Sequence, residues 1–143
     1  MTKHPLLFDA NAIYKLIRDL PDDAPDKLMD ESTIPLAYYE LGNALWRECF
    51  LLKRISEEEA EKSLSFMYAI LERMQIITLD NKAGSAVLET ACKLNLTFYD
   101  SAYLTEAKTS DKILVTEDKK LAKAAENFGV KTFSIRELAE NRI

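Results

Sequence analysis

Histidine is almost missing from this sequence: His4 is the only one among 143 residues. That scarcity argues against triads built on an imidazole and against His-rich zinc or iron sites. The two cysteines, Cys49 and Cys92, lie far apart and form no C-x-x-C pair, so neither a zinc knuckle nor a disulfide framework is indicated, and a reducing compartment fits. The three glycines, Gly42, Gly84 and Gly129, are scattered. No Gly-rich loop exists to bring backbone N–H groups against a nucleotide's phosphates, which removes P-loop and Rossmann binding. Long apolar runs are lacking too. Near the N-terminus Pro5 to Phe8 is interrupted by Asp9, too soon for a signal-peptide core or a membrane span, so a soluble cytoplasmic protein with no membrane partner is expected. Basic charge is short, at a net −5, and broad adhesion to nucleic acid normally relies on a basic face. A nuclease stays open, because the acids can be concentrated where a divalent cation offsets them.

What is present is 48% hydrophobic residues on a chain of one-domain length, and a single domain over 1–143 is expected. Periodicity alternates strand and helix. A short strand, Pro5 to Phe8, runs through Asp9 into a helix from Ala12 to Leu20, and Pro21-Asp-Asp-Ala-Pro25 breaks the chain. A strand near Ser32 to Ile34 leads to Pro35, which opens a helix to about Leu52. Ser56 and Glu59 have capping-box spacing and start a helix from Glu57 to Met74. Strands at Gln75 to Leu79, Lys112 to Val115 and Val130 to Phe133 alternate with helices at Asp80 to Leu94, Asp100 to Lys108 and Lys119 to Phe128. Gly129 ends the last of these helices, and a terminal helix follows from Ile135. Five short strands separated by helices predict an α/β fold, a parallel sheet sandwiched between helices.

In such sheets the functional crevice lies beyond the carboxyl ends of the strands. Asp9 directly follows Leu6-Leu7-Phe8, and Asp118 follows the Ile113 to Thr116 run by two residues, so both acids leave buried strands at the same edge. A plain alternative exists, because Asp9, Asp80, Asp100 and Asp118 all precede helices and Asp is a favoured N-cap. Glu40 is different: it lies inside Leu36 to Trp46, a helix apolar on most sides. With Asn43 and Arg47 it forms a narrow polar strip that faces either water or a polar site. Asp100 enters an apolar environment between Leu96-Thr-Phe-Tyr99 and a helix carrying Ala102, Tyr103 and Leu104, and a buried carboxylate needs a partner. Lys119, Lys120 and Lys123 look like a solvated face, the alternative for Lys119 and Lys120 being to hold RNA phosphates beside the cleft.

Carboxylates pressed together raise one another's pKa, a penalty that a bound dication reverses. An oxygen-only donor set suits Mg²⁺ or Mn²⁺, which polarises a phosphoryl oxygen and activates an attacking water. Asp9, Glu40 and Asp100 are read as ligands of the metal, with Asp118 completing the site or helping to position the water.

Four segments carry a resemblance. Leu-Leu-Phe-Asp9-Ala-Asn11, Glu40 within its apolar helix, Tyr99-Asp100-Ser-Ala-Tyr103-Leu104 and Leu114-Val-Thr116-Glu-Asp118-Lys-Lys-Leu121 resemble, in order, the four acidic blocks of PIN-domain ribonucleases, especially VapC-type toxins. The resemblance implies a five-stranded parallel sheet between helices, metal-dependent cleavage of RNA, a homodimer, and inhibition by a small cognate antitoxin. It also implies that Asn11 and Thr116 support the acids through hydrogen bonds. Ala10 stands where the family often has a hydroxyl residue, and Glu106 and Lys108 interrupt a segment that is often more apolar.

Taken together, the residues and the resemblance predict an endoribonuclease acting as a toxin. The alternatives are a housekeeping RNA-processing nuclease and an inactive PIN-like module that docks a protein. A receiver-like domain with Asp80 as phosphoacceptor needs paired acids after the first strand and a lysine after the last, and the sequence has neither.

Overall fold

The computed structural model describes residues 4–141 of the chain. Strand β1 (Leu6–Phe8) is buried along its whole length, as a central strand covered on both faces must be. It pairs in parallel with β2 (Ser32–Thr33) on one side and β4 (Ile113–Val115) on the other, while β3 (Gln75–Ile76) and β5 (Thr132–Phe133) form the edges. The sheet order is β3-β2-β1-β4-β5. The chain therefore starts in the middle, builds outward to β3, and returns across β1 to lay down β4 and β5.

Eight α-helices cover the sheet among the described residues: α1 (Ala10–Asp19), α2 (Ala24–Leu28), α3 (Leu36–Trp46), α4 (Glu57–Leu71), α5 (Asn81–Leu94), α6 (Phe98–Thr109), α7 (Lys119–Asn127) and α8 (Ile135–Asn141). Strand side chains alternate between faces and thereby make two cores. Leu6, Phe8, Ile113 and Val115 pack with Ile13, Leu41 and Leu71 of α1, α3 and α4, and with Leu138 of α8. Leu7 and Leu114 pack on the other face with Val87, Leu104 and Leu121 of α5, α6 and α7. Each fully buried Leu or Phe contributes roughly 1.5–3 kcal/mol of transfer free energy, so these strands are fixed by the helices that cover them.

Local chemistry sets several boundaries. The Ser56–Glu59 capping box forms in both directions, each side chain accepting the other's backbone N–H at 3.0 Å. Gly129 takes φ +81 directly after α7, a left-handed conformation that suits a residue without Cβ.

Other expectations need correction. The segment expected only to break the chain contains α2, because Pro25 sits in its first turn, where a missing N–H costs nothing. Helix α3 does not continue regularly to Leu52 but widens into a π-helical turn over Arg47–Leu51. Helix α4 stops at Leu71 rather than Met74, β3 is two residues rather than five, and β5 begins at Thr132 rather than Val130. Helix α6 begins at Phe98, with Thr97 as its cap, so Asp100 lies inside the first turn rather than before it. No helix among the described residues is long and apolar enough to cross a membrane.

Candidate active site

The register of the two central strands builds the site. Phe8 lies opposite Val115, and the Asp9 N–H donates to the Val115 carbonyl at 3.1 Å, which sets Asp9 beside Thr116 as both strands end. The Thr33 hydroxyl holds the other flank of β1 by donating to the Phe8 carbonyl at 2.8 Å. The junction of β1 and β4 is also where the chain order reverses, so helices leave it in opposite directions and a crevice opens.

Asp9 is 4% exposed and uses its two oxygens differently. Oδ1 accepts the Ala12 N–H at 2.8 Å and caps α1, while Oδ2 accepts the Thr116 hydroxyl in a short hydrogen bond. Thr116 Oγ1 in turn accepts the Asp118 N–H at 3.0 Å. Asp118 Oδ1 accepts the N–H groups of Lys120 at 2.9 Å and Leu121 at 3.2 Å and caps α7. Capping accounts for one oxygen of each aspartate and does not compete with a role for the other.

Glu40 and Asp100 arrive from helices on opposite faces of the sheet, and a tyrosine joins them over its edge. Tyr103, one turn beyond Asp100 on α6, donates its hydroxyl to Glu40 Oε1 at 2.7 Å. Tyr103 is 2% exposed, so this bond ties α6 to α3 inside the protein. Asp100 is half-buried, and its N–H donates to Thr97 Oγ1 at 3.1 Å.

The acids sense one another. Burial pushes Asp9 up to about 7, against the pull of Thr116 and the Ala12 amide, and the charges of Glu40 and Asp100 add to the rise. Burial also raises Glu40, which the Tyr103 hydroxyl opposes and Asp100 reinforces. Asp100 is raised by burial and by Asp118, with Thr97 and Lys120 acting the other way. The buried Tyr103 phenol, beside Glu40, is held strongly in its protonated form. The four carboxylates thus form one electrostatic group although they are far apart in sequence. Among the described residues, no three His, Cys, Asp or Glu side chains are already gathered to hold a metal ion in common.

The strip Glu40, Asn43 and Arg47 faces an open groove of about 930 Å³, shared with the exposed Asn11. Of the four acids only Glu40 lines it. Asn11 makes no side-chain hydrogen bond to an acid among the described residues, whereas Thr116 does. Lys119 and Lys120 are exposed, and Lys120 is close enough to Asp100 to lower its pKa, so it is more than a solvated charge. Asp80 is exposed and caps α5 through the Ala83 N–H at 2.8 Å. Two polar partners escaped the sequence reading, Tyr103 and Thr97. Their signals were the i, i+3 spacing of Asp100 and Tyr103, which shares a helix face, and the Thr-x-x-Asp cap.

A parallel α/β sheet with buried and half-buried carboxylates at its switch point defines a class of α/β protein with an acidic edge. The comparisons sharpen that class. The model of the PIN domain matches residues 6–127. Exonuclease VapC9 of Pyrobaculum aerophilum is 34% identical over 137 residues, covering 94% of this chain and 96% of the relative. The chain belongs to the PIN-domain family. A crystal structure of a protein from Pyrobaculum aerophilum superposes with a TM-score of 0.78 at 27% identity, covering 94% of this chain and 93% of that one. The structure of VapBC2 from Rickettsia felis, bound to a DNA fragment from their promoter, matches with a TM-score of 0.65 at 17% identity over 90% of this chain and 97% of that one, a likeness of fold. The expected α/β architecture, a five-stranded parallel sheet between helices, is the one observed.

Proposed function

We propose that this protein is a Mg²⁺- or Mn²⁺-dependent ribonuclease, acting in the cytoplasm as the toxin of a toxin–antitoxin pair. The observation that supports the reading is that Asp9, where the central strand β1 ends, is buried and pushed up to about 7, with the charges of Glu40 and Asp100 adding to the rise and Asp118 acting on Asp100. A protein gains nothing in stability from crowding buried carboxylates, so their proximity fits a dication that they share. Membership of the PIN family and the nuclease name of the 34% identical relative support the same activity.

The donor set fits a hard cation: it is all oxygen, and Mg²⁺ keeps several of its waters, so carboxylates not yet gathered around one point are compatible with it. Asp9, Glu40 and Asp100 would hold the ion, and Asp118 would complete the site or orient a water. When bound, the ion supplies Lewis-acid polarisation of a phosphoryl oxygen and a lowered pKa for the attacking water. Thr116 fixes the carboxylate plane of Asp9, and Tyr103 does the same for Glu40. Asn43 and Arg47 on the groove, and the exposed Lys119 and Lys120, would receive the flanking phosphates.

The chain's relative is named an exonuclease; for this chain the reading is internal cleavage. A circular single-stranded RNA decides between the two, because it offers no end. Linearisation that needs Mg²⁺ or Mn²⁺ and disappears in Asp100→Asn is the expected result. An intact circle beside degraded linear RNA would assign the exonuclease mode, and undiminished cleavage by the variant would remove Asp100 from the mechanism. A small antitoxin and a homodimer belong to the same proposal. Several fold neighbours are VapBC and FitAB proteins, and coexpression of the open reading frame adjacent to this gene should relieve toxicity.

One observation favours a second reading, an inactive PIN-like module that docks a protein: no three acids are already gathered around a common point among the described residues. Isothermal titration separates the two, since a module of that kind shows no heat of Mg²⁺ or Mn²⁺ binding.

A further inference from the structure

Between Thr116 and Asp118 stands a further acid, Glu117, with a different task. Strand β4 ends at Val115 and α7 begins at Lys119, so Thr116, Glu117 and Asp118 are the whole connector between them. Thr116 turns to Asp9 and Asp118 caps α7, whereas Glu117 Oε2 accepts the Ile135 N–H at 2.8 Å, from 18 residues along the chain. Glu117 takes no part in raising Asp9, Glu40 or Asp100, each of which is shifted by others of the four acids. Its carboxylate serves the last helix and not the acidic edge.

Ile135 opens that helix, α8. Ser134 and Glu137 cap it reciprocally, the Ser134 N–H donating to Glu137 Oε1 and the Glu137 N–H to Ser134 Oγ, both at 3.1 Å. A capping box leaves the N–H groups of the first two helical residues open, and Glu117 meets the first of them from another element. The body of α8 is anchored separately. Ile135 and Leu138 are buried in the core that holds Phe8 and Ile13, on the strand and the helix that flank Asp9. The Thr116 N–H also donates to the Phe133 carbonyl at 3.0 Å. Two bonds, one on each side of Ser134, therefore pin the connector to the corner between β5 and α8, and that corner is built on the same core as Asp9. A strand-to-helix connector is otherwise among the freer parts of a fold.

We propose that Glu117 is a positioning residue for the cleavage reaction: by holding the start of α8 it fixes the connector on which Asp118 reaches the acidic edge. The inference rests on the ribonuclease reading above, in which Asp118 completes the site, and adds to it the residue that sets where Asp118 stands. Removal of such a supporting partner costs roughly 10- to 100-fold in activity. Glutamine keeps an acceptor oxygen at the same reach, and leucine keeps the size without it, so the pair of variants separates the bond from the bulk.

Amide hydrogen exchange of the full chain in EDTA reads the position without any cleavage. In Glu117→Leu the Lys120 and Leu121 N–H groups, which bond to Asp118 Oδ1, should exchange roughly 10-fold faster than in the parent, while Leu16 in α1 exchanges unchanged. Cleavage of an RNA oligonucleotide in saturating Mg²⁺ should show kcat lowered roughly 10- to 100-fold with KM within about twofold, and Glu117→Gln within about threefold of the parent in both. Because Glu117 acts through Asp118, adding Glu117→Leu to Asp118→Asn should cost no more than about twofold beyond Asp118→Asn alone. Glu117→Ala, which adds no apolar bulk at this half-buried position, repeats each measurement, and circular dichroism checks that the variants fold. A Leu variant that exchanges and cleaves like the parent overturns the positioning role, as does a Gln variant as impaired as Leu, or a double variant in which the two losses multiply. In each of those cases loss of cleavage in Asp118→Asn leaves the ribonuclease reading standing with its fourth acid. Parent-like cleavage by Asp118→Asn overturns both the place of Asp118 in the site and the role of Glu117 behind it.

Discussion

Asp9→Asn separates the charge of the most buried carboxylate from its shape. In the folded protein Asp9 is raised from 3.8 to about 7, chiefly by burial. Between those two values the native state holds a proton that the unfolded chain has released, so stability falls as pH rises through this window. Below 3.8 both states are protonated, and above about 7 both are ionised, so the curve is flat at either end. At about 1.36 kcal/mol per pKa unit, the gap amounts to a ceiling of about 4 kcal/mol contributed by this one side chain. Glu40 and Asp100 are raised as well and add in the same direction. In Asp9→Asn the Ala12 N–H keeps its acceptor, but the Thr116 hydroxyl faces an amide N–H₂ and loses its own, a cost of about 1 kcal/mol. At pH 8 and without divalent ions, the variant should therefore be more stable than the parent by about 2–3 kcal/mol, near 10 °C in midpoint for a chain of this size. Urea unfolding in EDTA at intervals from pH 4 to pH 8 measures both curves. The parent should lose stability across the range and the variant much less. Addition of Mg²⁺ at pH 8 should restore stability to the parent more than to the variant. A parent curve that is level or rising between pH 4 and 7, or an Asn variant less stable than the parent at pH 8, refutes the idea that Asp9 is held as a high-energy carboxylate.

Two further substitutions probe the hydrogen bonds that orient the acids. Tyr103→Phe removes the donor to Glu40 and leaves that carboxylate without its buried partner; the expected cost is about 1–3 kcal/mol in chemical unfolding and a fall of roughly 10- to 100-fold in divalent-ion affinity by titration calorimetry. Thr116→Val deletes both the donor to Asp9 and the acceptor for the Asp118 N–H, so Mg²⁺ affinity should fall by a similar factor, while Thr116→Ser, which keeps the hydroxyl, should restore most of it. Equal behaviour of the Val and Ser variants would mean that the hydroxyl does not orient Asp9.

The strands with helices on both faces were legible because burial on two sides leaves a continuous apolar run, as in Leu6-Leu7-Phe8 and Ile113-Leu114-Val115. The edge strands were not, since Gln75–Ile76 and Thr132–Phe133 are held by pairing with a neighbour more than by their own composition. The π-helical turn over Arg47-Glu-Cys-Phe-Leu51 has no signature in that run of residues. Within the site, Asp9 and Asp118 could be placed from the strands they follow, and Glu40 stood out as a charge in an apolar helix. Tyr103 belongs to the Tyr99-Asp100-Ser-Ala-Tyr103-Leu104 block, but that spacing does not name its partner. Only the packing of α6 over the sheet edge reveals that its hydroxyl end, not its ring, meets Glu40. The capping role of Asp9 and Asp118 was set against a functional one, although a carboxylate has oxygens enough for both.

The hydrogen bond from Thr116 to Asp9 joins residues 107 positions apart, across strands laid down first and nearly last. A ribosome that has made only the first two-thirds of this polypeptide has produced Asp9 and Glu40, but neither the strand that clamps the former nor the acids that complete the edge. Until Thr116 and Asp118 have been made, the Asp9 carboxylate therefore has no hydroxyl to bond, and Thr116 has no Asp118 N–H to accept.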